Sequence, residues 1–218
     1  MTALKKQEVE FPGNINYVSE VYDLSSIYSE NINLALWRRN RSSALLDDIA
    51  GLVNTHSSFA LRAVLKPSEV KEWLRASLKQ QAFTALENDM TFLAEVFADL
   101  FDLTHVGLRL ELLDKTMCPR FHVDKLLCRL VTTYTGDTTQ WLLEDNVNRD
   151  KLGAGANGQP DESSGIYWHE DAIQKAMPGD VLLMKGQGWT ESSVDGLVHR
   201  SPLASPDNRR LFLGIDFA

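Results

Sequence analysis

His122 and Asp124 form the strongest chemical signal in the sequence, because an imidazole and a carboxylate stand two residues apart. In an extended segment, side chains at positions i and i+2 leave the same face of the backbone, so the two groups would converge on one point. Imidazole nitrogens and carboxylate oxygens are common ligands of divalent metals. The pair alone predicts with equal weight a metal site and a histidine held by a neighbouring acid.

Cys118 lies four residues before His122 and is a candidate for a further ligand. A thiolate in the site would favour zinc over iron, because sulfur prefers the softer ion. The alternative for Cys118, and for Cys128, is a small buried apolar residue, which is what most free cysteines are. The sequence leaves both hypotheses open.

A second motif begins at the turn Pro178-Gly179-Asp180, which leads into an apolar strand. A polar loop follows, and the segment then reaches a distal histidine, His199, and late arginines. This order resembles the double-stranded β-helix, or cupin-like, oxygenases that depend on Fe(II) and 2-oxoglutarate. The resemblance implies a jelly-roll barrel with the metal at one mouth.

The same resemblance implies the ligands of that metal. In the family, an early His-x-Asp or His-x-Glu and a late histidine occupy one face of the ion, and they correspond here to His122, Asp124 and His199. Two neutral imidazoles and one carboxylate leave three adjacent positions open for an oxo acid and dioxygen. A closed site with four protein ligands would leave no such room.

The late arginines correspond to the residue that binds the co-substrate in the family. A basic residue about ten positions beyond the distal histidine commonly pairs there with the far carboxylate of 2-oxoglutarate, and Arg209 and Arg210 lie ten and eleven positions after His199. A guanidinium can bind a carboxylate through two parallel hydrogen bonds. The family usually has Ser or Thr two residues later, whereas Leu211 and Phe212 stand here. The alternative is a solvated pair of arginines at the start of a strand.

The alternation along residues 210–217 predicts which arginine enters the site. Arg210 shares a strand face with the small Gly214 and the polar Asp216, and such a face leaves room for a ligand. We therefore expect Arg210 to point inward and Arg209 outward. The alternative is the opposite facing, because Leu211 and Leu213 could equally fill the barrel.

Three runs give a closer resemblance: residues 118–124 (Cys-Pro-Arg-Phe-His-Val-Asp), 129–136 (Arg-Leu-Val-Thr-Thr-Tyr-Thr-Gly) and 214–217 (Gly-Ile-Asp-Phe). They are similar to a bacterial family of uncharacterised proteins, domain of unknown function 1826, over most of the chain. Members often occur in gene neighbourhoods tied to zinc limitation. The resemblance thus implies a role in metal or zinc homeostasis without naming a reaction.

The composition bounds the class of protein. The 218 residues, 44% of them hydrophobic, predict one globular domain over 1–218 with room for a core. A net charge of -8 disfavours a nucleic-acid partner. The apolar runs are far shorter than a membrane span and no apolar stretch follows the first ten residues, so we expect neither a membrane partner nor secretion. Two cysteines cannot form a disulfide framework, which favours the cytoplasm.

Hydrophobic periodicity predicts that helices dominate residues 1–103 and strands dominate residues 104–218. Apolar residues at steps of three and four predict helices from Ser43, from Pro67 and from a cap at Asn88 or Asp89. A period of two predicts strands at residues 106–112, 126–134, 139–142, 180–185 and 210–217. The first thirty residues, with the breaker pair at 12–13, predict an arm or early loop, and residues 146–164 predict a mobile surface loop.

These patterns, with the resemblances, predict an α+β fold: a double-stranded β-helix (cupin-like jelly roll) with packing helices mainly at the N-terminal side. The function predicted is that of an Fe(II)- and 2-oxoglutarate-dependent oxygenase acting on an unidentified small molecule or protein. One alternative is a non-catalytic zinc-binding protein that uses the same triad with Cys118. Another is a cupin-like interaction domain without metal.

Overall fold

Residues 14–79 and 81–218 are described in a computed structural model of the chain. The described residues form a mixed α+β fold, as the sequence predicts. The helices are α1 (Ser43–Thr55), α2 (Val70–Ser77), α3 (Thr84–Leu100) and α4 (Asp161–Ser164). The strands are β1 (Ile15–Val18), β2 (Leu34–Trp37), β3 (Phe59–Leu65), β4 (Val106–Leu113), β5 (Cys128–Thr135), β6 (Gln140–Leu142), β7 (Ile173–Lys175), β8 (Val181–Lys185), β9 (His199–Arg200) and β10 (Arg210–Phe217).

The strands form two sheets. The large sheet has seven strands in the order β1-β2-β8-β5-β10-β4-β3, and the small sheet has three in the order β7-β6-β9. All neighbours are antiparallel except β1 and β2. β10 lies between β4 and β5 in the large sheet, so residues near its start are surrounded by neighbouring strands.

One face of the large sheet packs against the helices. Alternate residues of β4 and β10 supply this face, and α3 covers it with side chains that recur at helical spacing. Their apolar side chains are fully or almost fully buried, and the members include Leu86, Met90, Leu93, Phe97, Leu108, Leu110, Leu211 and Leu213. α1 begins at a capped end, because the Ser42 hydroxyl accepts a hydrogen bond from the Leu45 amide.

The opposite face of the large sheet packs against the small sheet. Trp141 of β6 is 1% exposed and belongs to a buried cluster with Val131, Met184 and Phe212, which come from β5, β8 and β10. The strand alternation therefore directs Arg210, Phe212 and the other even-numbered residues of β10 into the space between the two sheets.

Most of the elements predicted from the sequence are confirmed. β4, β5, β6, β8 and β10 each lie within two residues of a predicted strand, and α1 begins at the predicted Ser43. Pro67 opens a 3-10 turn that continues into α2, as expected for proline at a first helical turn. None of the helices in the two described ranges is long and apolar enough to cross a membrane.

Two predictions for the chain's local structure are wrong, and a third is incomplete. α3 begins at Thr84, not at a cap near Asn88 or Asp89. Residues 15–18 form an edge strand and residues 21–28 a 3-10 helix, where an arm or loop was expected; the breaker pair at 12–13 lies outside the described residues. The expected surface loop at 146–164 contains short helical turns and α4, and its Asp161 is 4% exposed.

Candidate metal centre

His122, Asp124 and His199 come together at the small sheet. One potential ligand atom of each residue lies within 4.8 Å of the other two. The Asp124 carboxylate lies between the two rings, with its oxygens 3.7 Å from His122 Nε2 and 3.6 Å from His199 Nε2. These separations are too long for hydrogen bonds. A metal ion between the three side chains could be coordinated by all of them.

The two histidines are held side by side by the backbone. His199 lies on β9, and its peptide group exchanges hydrogen bonds of 3.0 and 2.9 Å with that of His122. The ring centroids are 4.6 Å apart. His122 is a single bridging residue in the connection between β4 and β5, and Asp124 lies outside the strands, so the two residues do not share a regular strand.

Both imidazoles have one nitrogen committed to the backbone. His122 Nδ1 lies 2.9 Å from the carbonyl oxygen of Arg120, and His199 Nδ1 lies 3.1 Å from that of Leu197. A carbonyl can only accept, so each Nδ1 carries the proton and each neutral ring presents a lone pair at Nε2. This arrangement orients histidines that bind metals through Nε2.

Asp124 is fixed through its side chain and its backbone. Arg129 of β5 donates to Asp124 Oδ2 at 2.7 Å and also binds Asp216 of β10 through two nitrogens. The carbonyl of Asp124 accepts the Gln187 amide at 2.8 Å, in the loop that follows β8. A Cβ on the neighbouring Gly186 would lie 2.7 Å from that carbonyl oxygen, so the close approach requires glycine.

The three side chains differ in their proton affinity. Asp124 raises the pKa of His122 above its ordinary 6.5, against the effect of burial. Burial lowers the pKa of His199 to about 4, although the charge of Asp124 opposes this shift. Burial also acts to raise the pKa of Asp124, but the two histidines and Arg129 lower it to about 2. At neutral pH the site therefore holds an ionised carboxylate and a neutral His199.

These pKa values predict how metal affinity depends on pH. A metal must displace any proton on Nε2, and only His122 carries one between its raised pKa and about 4. We expect the logarithm of the association constant to fall by about one unit per pH unit in that window and by about two below it. Zinc titrations from pH 8 to 5 measure the slope, and a slope of two throughout would contradict the low pKa of His199.

Arg210 lies in the same cavity and is 2% exposed. Its guanidinium donates to the hydroxyls of Thr133 and Thr139 at 2.9 to 3.2 Å and to Ser201 at 3.3 Å, and it stacks over the Phe212 ring at 4.7 Å. It forms no ion pair with any residue in the described ranges. Burial, with the charge of a neighbouring arginine, lowers the pKa of Arg210 to about 10, so it remains a cation at neutral pH.

The other residues singled out in the sequence lie elsewhere. Arg209 donates to the carbonyls of His56 and Ser57 and does not line the cavity, so the structure brings one arginine of the pair to the site. Cys118 lines the cavity but is exposed, so the buried alternative is wrong for Cys118 and right for Cys128. Cys118 is outside the group of residues whose ligand atoms converge.

Sequence reasoning missed several residues that shape the site. Arg129 follows Asp124 by five residues, but its link to Asp216 joins positions 87 residues apart. Asp161 lies in the glycine-rich segment and accepts hydrogen bonds from the Phe121 amide, Arg120 and Arg200. It therefore contacts a chain neighbour of each paired histidine, Phe121 through its amide and Arg200 through its side chain. The local signal, an acid after proline, was too common to single it out.

Comparison with solved structures shows the class of fold. A crystal structure of a C-terminally truncated Neurospora crassa protein, NcT7HdeltaC, in apo form matches 99% of this chain and 99% of that chain, with 10% identity and a TM-score of 0.50. A Pseudomonas putida prolyl-4-hydroxylase matches 91% and 98% with 11% identity and a TM-score of 0.46. The Fe(II)/(alpha)ketoglutarate-dependent dioxygenase TqaL matches 90% and 85% with 10% identity and a TM-score of 0.49. The first match shows a shared fold.

The chain itself belongs to the family described as Protein of unknown function (DUF1826), whose model matches residues 19–216. The resemblance drawn from the three short sequence runs is therefore confirmed. No curated protein matches the chain significantly. The role in zinc limitation stays a prediction.

Proposed function

We propose that the protein is an oxygenase that depends on Fe(II) and 2-oxoglutarate. The observation that carries the proposal is one cavity that contains two sets of groups without a partner. Three ligand atoms of His122, Asp124 and His199 converge without hydrogen bonds between them, and the buried cation Arg210 has no carboxylate partner among the described residues. A metal ion would bind the three ligand atoms, and a carboxylate of a dicarboxylic oxo acid would bind the buried arginine.

The strand order supports a double-stranded β-helix. β4, β10, β5 and β8 are consecutive in the large sheet, and the small sheet continues from β7, β6 and β9 to the bridging His122. Two four-membered antiparallel layers thus face each other around the cluster of Trp141 and Phe212. In such a barrel, residues at one mouth come from several strands, which matches the origins of the triad and Arg210.

The residues fit the metal and the co-substrate. His122 and His199 would hold the ion through Nε2 and Asp124 through one oxygen, while Arg129 keeps the other oxygen paired. Bound Fe(II) supplies the activation of dioxygen for oxidation of a substrate. Arg210 binds the far carboxylate of the oxo acid, and its hydrogen bonds to Thr133 and Thr139 fix the guanidinium before the ligand arrives.

Hydroxyl groups from other segments of the chain replace the Ser or Thr expected two residues after the arginine. Phe212 occupies that position and stacks on the guanidinium, while Thr133, Thr139 and Ser201 provide the hydroxyls. Although the local sequence departs from the family pattern, the arginine is therefore still surrounded by polar groups.

Anaerobic metal and co-substrate titration tests the proposal. We expect metal-free protein to bind one Fe(II) per chain and the loaded protein to bind 2-oxoglutarate. On admission of dioxygen with ascorbate as reductant, we expect slow conversion of 2-oxoglutarate to succinate and carbon dioxide, with the second oxygen atom reduced to water.

Two outcomes favour the alternatives. Zinc binding without oxo-acid binding, lost in Cys118→Ser, would favour the zinc-binding protein, because Cys118 lines the cavity. Failure to bind any divalent metal would favour the interaction domain.

A further inference from the structure

A second arginine reaches the site from β4. Arg109 pairs in register with Gly214 of β10, and a Cβ at that glycine would lie 3.3 Å from Arg109 Nη2 and 3.1 Å from the Phe212 ring. The absence of a side chain at Gly214 thus gives the guanidinium room to lie across β10. It lies 5.3 Å from the centre of the Phe212 ring, which Arg210 also contacts.

Arg109 has no counter-ion in the part of the chain that the structure describes. Its Nε is buried and has no hydrogen-bond partner. The neighbouring acids are already paired, because Arg62 binds Glu111 at 2.8 Å and Arg129 binds Asp216 and Asp124. Burial and the charge of Arg129 lower the pKa of Arg109, which indicates a cation in an unfavourable environment. Such a group gains strongly from a carboxylate ligand.

Arg109 borders two spaces. It lines the metal cavity, and it also lines an open groove of about 510 Å³ over the outer strands of the large sheet. The groove has apolar surface from Ala63, Val64 and Phe217, and charged side chains of β3, β5 and β10 also line it. A molecule with an apolar body lying in this groove would place a polar end at Arg109, beside the metal cavity.

Charge limits the class of ligand. Arg62, Arg129 and Asp216 also line the groove, but Arg62 and Arg129 are already paired with acids. After Arg210 takes the oxo acid, Arg109 is therefore the guanidinium of these spaces that remains for a ligand. A single planar guanidinium matches one carboxylate through two hydrogen bonds. The volume of the groove fits a small molecule.

We propose that Arg109 binds the carboxylate of the substrate, and that this substrate is a small organic monocarboxylate with an apolar body that enters through the groove. The inference rests on the proposed function for the identity of the reaction, but not for the binding of the anion. Arg109 holds the acid end, and the body of the substrate extends over the sheet.

Arginine Nε–H resonances test the inference directly. The full chain, loaded with Zn(II) and 2-oxoglutarate, is titrated with acetate, butyrate, octanoate and benzoate, with butyramide as the uncharged counterpart and sodium chloride as the salt control. We expect at least one carboxylate to shift the Arg109 resonance saturably, whereas butyramide and chloride do not. Arg109→Gln identifies the resonance and should weaken carboxylate binding by about 10- to 100-fold.

Matched variants separate the possible outcomes. Lys125→Gln removes one positive charge from an exposed side chain that does not line the cavity, and it should change carboxylate affinity less than about twofold. The inference is overturned if no carboxylate shifts Arg109 saturably, if butyramide binds equally, or if Arg109→Gln instead weakens 2-oxoglutarate binding tenfold. If 2-oxoglutarate does not bind to the parent protein, the proposed function fails, and the titration of the zinc-loaded protein alone still decides the role of Arg109.

Discussion

Asp124→Asn is expected to lower the affinity for a divalent metal by more than about a hundredfold, because losing a ligand's supporting contact alone costs about 10- to 100-fold. The substitution keeps the size of the side chain but removes the negative charge between the two histidines. It also removes the main cause of the raised pKa of His122. Isothermal titration with Zn(II) or Mn(II), with NMR titration of the His122 ring, measures both effects.

Two controls make the result specific to the cluster. Asp195→Asn changes a 75%-exposed carboxylate that pairs with Arg149, and it should leave metal affinity unchanged. His122→Ala and His199→Ala should each lose metal as strongly as Asp124→Asn, whereas His105→Ala should not, because His105 is exposed and outside the cluster. If Asp124→Asn lowers the pKa of His122 but keeps the metal affinity, the pair is a histidine held by an acid, the other hypothesis that the pair alone allowed.

The sequence predicts the strands around the site better than the site itself. β4 and β10 alternate because one face packs against the helices and the other faces the cavity, so a period of two is visible in the local sequence. β9 has two residues, and its pairing with His122 joins positions 77 apart. No local pattern can reveal such a pairing. The motif order identified His199 through a resemblance, not through its local sequence.

The start of α3 shows how tertiary contacts override a local signal. Asn88 and Asp89 have the chemistry of a helix cap, but Asp89 lies inside the helix and accepts hydrogen bonds from Arg39 and Tyr134. Glu87 is 1% exposed and pairs with Arg75. These acids lie inside the helix and pair with residues distant in sequence. Their position along the sequence therefore does not mark the start of α3.

The environment of Arg210 shows the same limitation in the site. Its position after His199 predicts a carboxylate-binding arginine by resemblance, and the alternation of β10 predicts that it points inward. Its hydroxyl partners Thr133, Thr139 and Ser201 come from three other segments of the chain. Their convergence depends on the packing of the two sheets, which no pattern in residues 210–217 encodes.

Arg210→Ala is expected to weaken 2-oxoglutarate binding by about 10- to 100-fold while leaving metal content unchanged. A charge-assisted hydrogen bond contributes about 1.5 to 3 kcal/mol, and the guanidinium is already oriented by its hydroxyl partners. Arg210→Lys keeps the charge but loses the planar fork, so its affinity should lie between those of Arg210→Ala and the parent protein. Titration of the Zn(II)-loaded proteins with 2-oxoglutarate measures the three affinities.

Arg209→Ala is the matched control for this prediction. It removes the same group one residue earlier in the chain, but the Arg209 guanidinium binds the carbonyls of His56 and Ser57 outside the cavity. We therefore expect Arg209→Ala to bind the oxo acid as the parent does. Equal weakening by both substitutions would indicate a general effect on the start of β10. If Arg210→Ala binds 2-oxoglutarate as tightly as the parent, the buried cation has another partner, and the oxygenase proposal loses the group that distinguishes it from a zinc-binding protein.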